Sequence, residues 1–103
     1  ALDLEIIVRG DALQVADRGT GLLRSIPKTA DGYDFAALAA FLRDEVKLRF
    51  PDATSVTILI EPEISYDTVV QVMDAVRVDT GIVDGRATQR ELFPDISIGD
   101  APP

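Results

Sequence analysis

Val56-Thr57-Ile58-Leu59-Ile60-Glu61-Pro62, followed after Glu63 by Ile64-Ser65-Tyr66-Asp67-Thr68-Val69-Val70-Gln71-Val72-Met73-Asp74-Ala75-Val76-Arg77, changes hydrophobic period within a few residues. The first part is a β-branched run with apolar residues on both faces, the pattern of an interior strand flanked by neighbours or covered by helices. Glu61-Pro62-Glu63 ends it. The second part starts a helix near Ser65, with a stripe at Tyr66, Val69, Val70, Met73, Val76 and Arg77. Its valines are poor helix formers, so packing has to hold it. The spacing predicts that Val70 and Met73 are buried against a sheet. Glycine is the usual residue just past a helix, so the helix is expected to end near Thr80-Gly81.

Upstream, Leu2, Leu4, Ile6 and Val8 alternate with polar residues, and Leu13 and Val15 resume the alternation after Gly10-Asp11. That reads as a hairpin closed by a glycine-containing turn. A second turn spans 17–21, and Leu22 to Ile26 is a short third strand ended by Pro27. Lys28 to Gly32 is read as a loop. A helix stripe then appears at Phe35, Leu38, Leu42 and Val46, joined by Ala39 and Phe41, with Asp34 placed to cap its first turn. Leu38 and Leu42 should face the sheet. Phe50-Pro51-Asp52 stops this helix.

Downstream, Asp84 to Arg90 is read as a polar loop, Phe93, Ile96 and Ile98 as a last strand, and 99–103 as a flexible C-terminal tail. The order β-β-(β)-α-β-α-β defines an α+β domain over 1–98. It is one mixed sheet of four or five strands with two α-helices packed on one face. At 103 residues a second domain is not expected.

Composition narrows the chemistry. Hydrophobic residues make up 47% and charged residues 27%, the usage of a folded domain rather than a disordered one. With 18 Asp+Glu against 10 Lys+Arg the net charge is −8, which opposes docking on nucleic acid or anionic lipid. The chain has no Cys and no His, so thiol chemistry, imidazole bases and nearly all zinc sites are absent. No enzyme activity, cofactor or metal is expected. The longest apolar run, 35–42, is too short to span a bilayer, which takes roughly 20 residues. A chain that opens on Ala and enters a strand almost at once reads as a domain excised or processed from something longer.

Three constellations have a plain reading beside a functional one. Glu61, Glu63 and Asp67 could do acid–base work or hold a metal; the plain reading is acids gathered at the positive end of a helix dipole. Asp67, Gln71 and Asp74 form one polar helix face, solvated by default. Arg9-Gly10-Asp11 spells an adhesion tripeptide, which a hairpin turn explains equally well. Gly19-x-Gly21 lacks the third glycine and the helix that a nucleotide loop requires.

The 56–77 stretch resembles the periplasmic domain of the ExbD/TolR biopolymer-transport family, with its strand ending in an acidic residue and its Tyr before a helix containing Val72-Met73-Asp74. Glu91-Leu92-Phe93-Pro94-Asp95-Ile96-Ser97-Ile98 resembles the C-terminal strand of one branch of that family. The likeness spans nearly the whole chain, with Glu61 where many members have Asp and a longer loop at 84–90. It implies a single-pass inner-membrane protein whose periplasmic part is this domain, without a resident cofactor. The implied partners are an ExbB/TolQ-like membrane protein and a TonB/TolA-like energy transducer, within a proton-motive-force-driven motor serving outer-membrane transport or envelope maintenance. It also implies a homodimer, and in TolR-like members a peptidoglycan-anchoring module is the alternative. The family's proton-carrying aspartate lies in the transmembrane helix, to which nothing here corresponds. From the pattern itself, the last strand follows a long polar segment and is a natural sheet edge. Asp95, Ile96, Ser97 and Ile98 are therefore the expected partner or dimer edge, with Ser97 expected to offer a backbone donor.

Overall fold

The computed structural model describes the backbone of residues 1–103 and every side chain except that of Val83. Strands β1 (Leu4–Val8), β2 (Ala12–Asp17) and β3 (Gly21–Pro27) form an antiparallel meander. Helix α1 begins as an α-helix over Phe35–Phe41, widens into a π-helical turn over Leu42–Val46 and closes with Lys47–Arg49. Strand β4 (Ser55–Ile60) and helix α2 (Tyr66–Arg77) follow. Next come β5 (Val78–Val83), β6 (Arg86–Glu91) and β7 (Asp95–Asp100). The main sheet has the order β3-β2-β1-β4-β7, with β4 parallel to both β1 and β7. The α+β architecture read from the sequence is the one observed, with five strands in the sheet.

Register explains which residues face the helices. Val15, Ile6, Ile58 and Ile98 lie in one cross-strand row, and Leu13, Val8 and Ile60 in the next. Leu38, Leu42 and Val46 of α1 and Val72 and Val76 of α2 pack on these rows in a single core. The π-helical turn keeps α1 in line with it. Residues four apart on an α-helix drift by about 40° around the axis. The wider i→i+5 turn takes that drift out, so Leu38, Leu42 and Val46 are all buried. On the opposite face, Glu5, Thr57 and Ser97 form a polar row beside Ile7, Leu59 and Gly99. Strand β4 is interior to the sheet, as expected, but is covered by helices on one face only.

Both helix starts are as read: Asp34 accepts from Ala37 N–H at 3.0 Å and Ser65 from Thr68 N–H at 3.1 Å. Downstream, the structure corrects the sequence reading. Helix α2 stops at Arg77, not near Thr80-Gly81, and the expected loop 84–90 belongs mostly to a second, two-stranded sheet of β5 and β6. Asp84 (φ 52°) and Gly85 (φ 77°) make its two-residue turn, the left-handed pair that such a hairpin demands. The buried face of α2 is also rotated. Val72 and Val76 are fully buried, Val70 and Met73 only in part, and Tyr66 is exposed. Phe93 does not begin the last strand; it is a buried plug ahead of β7, its N–H bonded to Val76 C=O at 2.9 Å. Finally, β7 continues through Asp100, and Ala101 N–H reaches Ile60 C=O at 3.0 Å, so much of the expected tail is sheet.

Candidate partner-binding edge

The carboxyl ends of β1, β4 and β7 converge on a polar cluster. Arg9 donates to Glu61 at 3.1 Å, to Gln14 at 3.3 Å and to Pro102 C=O at 2.9 Å. The other Glu61 oxygen accepts Gly10 N–H at 2.8 Å, and Tyr33 O–H donates to Arg9 C=O at 2.5 Å. Burial, then the Glu61 and Asp11 carboxylates, push the Tyr33 hydroxyl above its ordinary value. The Arg-Gly-Asp tripeptide is thus an internal turn with its arginine engaged. Glu61 acts as a clamp on that turn rather than as an acid at a helix start. Asp67, also on the polar face, accepts from Gln71 at 2.7 Å. Among the described residues no buried side-chain polar atom lacks a partner, and no group of three His, Cys, Asp or Glu converges as a metal site would.

The two edges of the main sheet differ in accessibility. On β3 the pairing slips between Val15 and Ala16, leaving Leu23 unpaired; the strand ends in Pro27, and the Arg24 guanidinium lies 4.7 Å over the Phe41 ring. A bulge, a proline and a charge are devices that blunt an edge. Strand β7 has an unbroken register with β4 over all six residues and holds no Pro, Lys or Arg, its charged residues being Asp95 and Asp100 at its two ends. It is the open edge, and Asp95, Ile96, Ser97 and Ile98 all lie on it.

Which of them can receive a strand follows from the ladder. Asp95 N–H bonds Thr54 C=O at 3.0 Å, and Ala101 N–H bonds Ile60 C=O at 3.0 Å. Backbone groups alternate sides along a strand. Asp95, Ser97, Gly99 and Ala101 therefore spend theirs on β4, while Ile96, Ile98 and Asp100 turn theirs outward. Ser97 cannot supply the free donor expected of it, and Asp100 joins the site unannounced by the sequence reading, which placed it in the tail. The next outward positions are Pro94 and Pro102, and proline has no N–H. The open window thus runs from Ile96 to Asp100 and is centred on Ile98.

Side chains around the window supply two kinds of contact. Ile98 is 55% exposed on the helix face. On the other face Gly99 lies against Leu59, whose Cδ2 would sit 3.3 Å from an added Cβ and would have to give by a few tenths of an ångström. The start of the strand is fixed by Thr54 Oγ1 donating to Asp95 at 2.8 Å. A separate groove of ≈600 Å³ lies between α1, α2 and β5; Phe35, Ala39 and Ala75 are among its apolar lining, and Asp74 and Arg77 are among its charged residues.

No family model, curated protein or solved structure matches this chain.

Proposed function

We propose that this domain is the periplasmic coupling end of a proton-motive-force-driven inner-membrane motor of the Ton or Tol type. In this reading it captures an extended segment of a TonB- or TolA-like transducer by strand addition on β7. The observation that carries the proposal is the open window from Ile96 to Asp100, three residues whose N–H and C=O face away from β4, bounded by prolines. Main-chain bonds at such an edge supply affinity, and the pockets beside alternate residues supply selectivity. Support also comes from the sequence resemblance, the acidic charge and the absence of His and Cys. In the whole protein a transmembrane helix would precede this domain and sit against an ExbB/TolQ-like partner; no helix of this structure is long and apolar enough to cross a membrane.

The test uses two proline substitutions. Ile98→Pro removes an outward donor, whereas Ser97→Pro removes one that bonds β4. Binding of synthetic transducer segments is measured by calorimetry. Ile98→Pro should abolish binding while leaving the fold intact, and Ser97→Pro should destabilise the domain itself. Unchanged affinity in folded Ile98→Pro refutes strand capture at β7. Co-sedimentation with isolated peptidoglycan, lost on mutation of Asp74 or Arg77 rather than of Ile98, would replace this reading with the anchoring one.

A further inference from the structure

On the flank opposite β7 two backbone irregularities meet. Leu23 and Arg24 are consecutive in β3, and a regular strand would point them to opposite faces. The slip in pairing between Val15 and Ala16 leaves Leu23 as the extra residue, and such a bulge re-aims a side chain. Both residues therefore reach α1. Leu23 lines a notch of ≈160 Å³ with Phe41, Glu45, Val46, Arg49 and Phe50, and the Arg24 guanidinium lies 4.7 Å over the Phe41 ring. Glu45 and Val46 belong to the π-helical turn, a widening frequently found at functional sites. Small-molecule pockets occupy roughly 300–1,000 Å³, so this notch is sized for one aliphatic side chain.

Charge decides what can bring that side chain. Arg24 lies on the Phe41 wall of the notch and Arg49 on the Phe50 wall, its guanidinium 5.6 Å from the ring centre. A guanidinium engaged through an aromatic ring still has its N–H fork to offer a carboxylate. Neither arginine makes an ion pair among the described residues. Glu45 is the single carboxylate in the lining. In a chain of net charge −8, two uncommitted cations here outnumber one anion. A second copy would set that same positive excess against itself. A flat anionic bilayer would meet the repulsion of the whole chain and leave the hole unfilled.

We infer that the α1–β3 flank docks an acidic segment of a partner protein, with a leucine, isoleucine or valine entering the notch and carboxylates on either side of it reaching Arg24 and Arg49. Glu45 meets the same segment with like charge, so it holds binding below what the two arginines alone would give. The site lies across the sheet from β7 and stands independently of strand capture there.

The experiment is an amide chemical-shift titration, by NMR, of the 103-residue chain with the end-blocked peptide Glu-Glu-Leu-Glu-Glu, with circular dichroism to check that each variant folds. Shifts should centre on Leu23, Phe41, Glu45 and Arg49. Arg24→Gln and Arg49→Gln should each weaken binding about two- to fivefold, the size of an exposed ion pair. Glu45→Gln should strengthen it, an opposite sign that a damaged fold does not produce. A peptide with Gly in place of its Leu should bind at least about tenfold more weakly. Ile98→Pro should leave the binding unchanged. Absence of saturable shifts at the flank with millimolar peptide overturns the inference. So does an affinity indifferent to both arginine variants, or binding lost with Ile98→Pro. Attachment to phosphatidylglycerol vesicles, or self-association, by a chain that ignores the peptide and depends on Arg24 and Arg49 would give the flank to a lipid surface or a second copy instead.

Discussion

Replacing Lys47 by Met should destabilise the domain far more than its place at a helix end suggests. Lys47 is only 7% exposed. Its ammonium donates to Leu92 C=O at 2.7 Å and to Ala53 C=O, and lies 4.7 Å from the centre of the Phe93 ring. It thereby ties α1 to the loop before β4 and to the segment that delivers β7. Met fills similar volume but donates nothing. A hydrogen bond from a charged donor contributes about 1.5–3 kcal/mol, and a carbonyl left unpaired in the interior costs about 1–3 kcal/mol. Removing the ammonium also recovers its desolvation penalty, which offsets part of the loss. The net expectation is a loss of about 2–4 kcal/mol, read as a lowered urea midpoint at unchanged slope. Amide exchange at Leu92 and Phe93, whose N–H groups bond Arg77 and Val76, should accelerate in step. Burial foremost holds the Lys47 ammonium below its ordinary value of 10.5. The unfolded chain then keeps this proton to higher pH than the folded one. The contribution of Lys47 to stability must rise with pH from its folded value up to 10.5, widening the gap between wild type and Met variant. A loss under about 0.5 kcal/mol, with unaltered exchange at Leu92 and Phe93, would refute the latch.

Two further outcomes are expected. Leu42→Ala, at a fully buried position in the π-helical turn, should cost about 2–5 kcal/mol in urea unfolding, and a loss of surface size would mean that α1 does not pack as described. Asp17 accepts Asp3 N–H at 2.8 Å and both Thr20 donors, and these bonds, that from Asp3 foremost, hold its carboxyl below the ordinary 3.8. Its stabilising effect is therefore present above 3.8 and lost as pH falls through the folded value. Asp17→Asn should be the less stable protein at neutral pH and converge with wild type in acid; parallel pH–stability curves would count against this.

The parts legible in the sequence are those in which local and tertiary forces agree. The alternation of Leu4, Ile6 and Val8, the cap at Asp34, the helix start near Ser65 and the β-branched run before Glu61 each point one way, and the structure follows them. Helix α2 offers valines at 69, 70, 72 and 76, so several stripes are almost equally apolar; only contact with the sheet selects the Val72–Val76 face. The β5–β6 hairpin has every described residue of β6 exposed, which removes the hydrophobic alternation by which a strand is recognised. Its signal was Asp84-Gly85, a strong two-residue turn, outweighed by reading Thr80-Gly81 as a helix end. At the candidate edge, the strand and its exposure were readable. Which residues face outward was not, because that parity depends on which neighbour β7 pairs with.

The hairpin leaves and re-enters the domain at one point, since Leu92 N–H bonds Arg77 C=O at 2.8 Å. Residues 78–91 are therefore a closed excursion whose removal leaves two chain ends already side by side. The entropy of closing such a loop grows only slowly with its length, so the segment can be shortened, extended or exchanged at little thermodynamic cost. For an engineer it is a cassette, with Asp84-Gly85 as the position at which to graft a reporter; for evolution it is a place where related chains can diverge in length while keeping one scaffold.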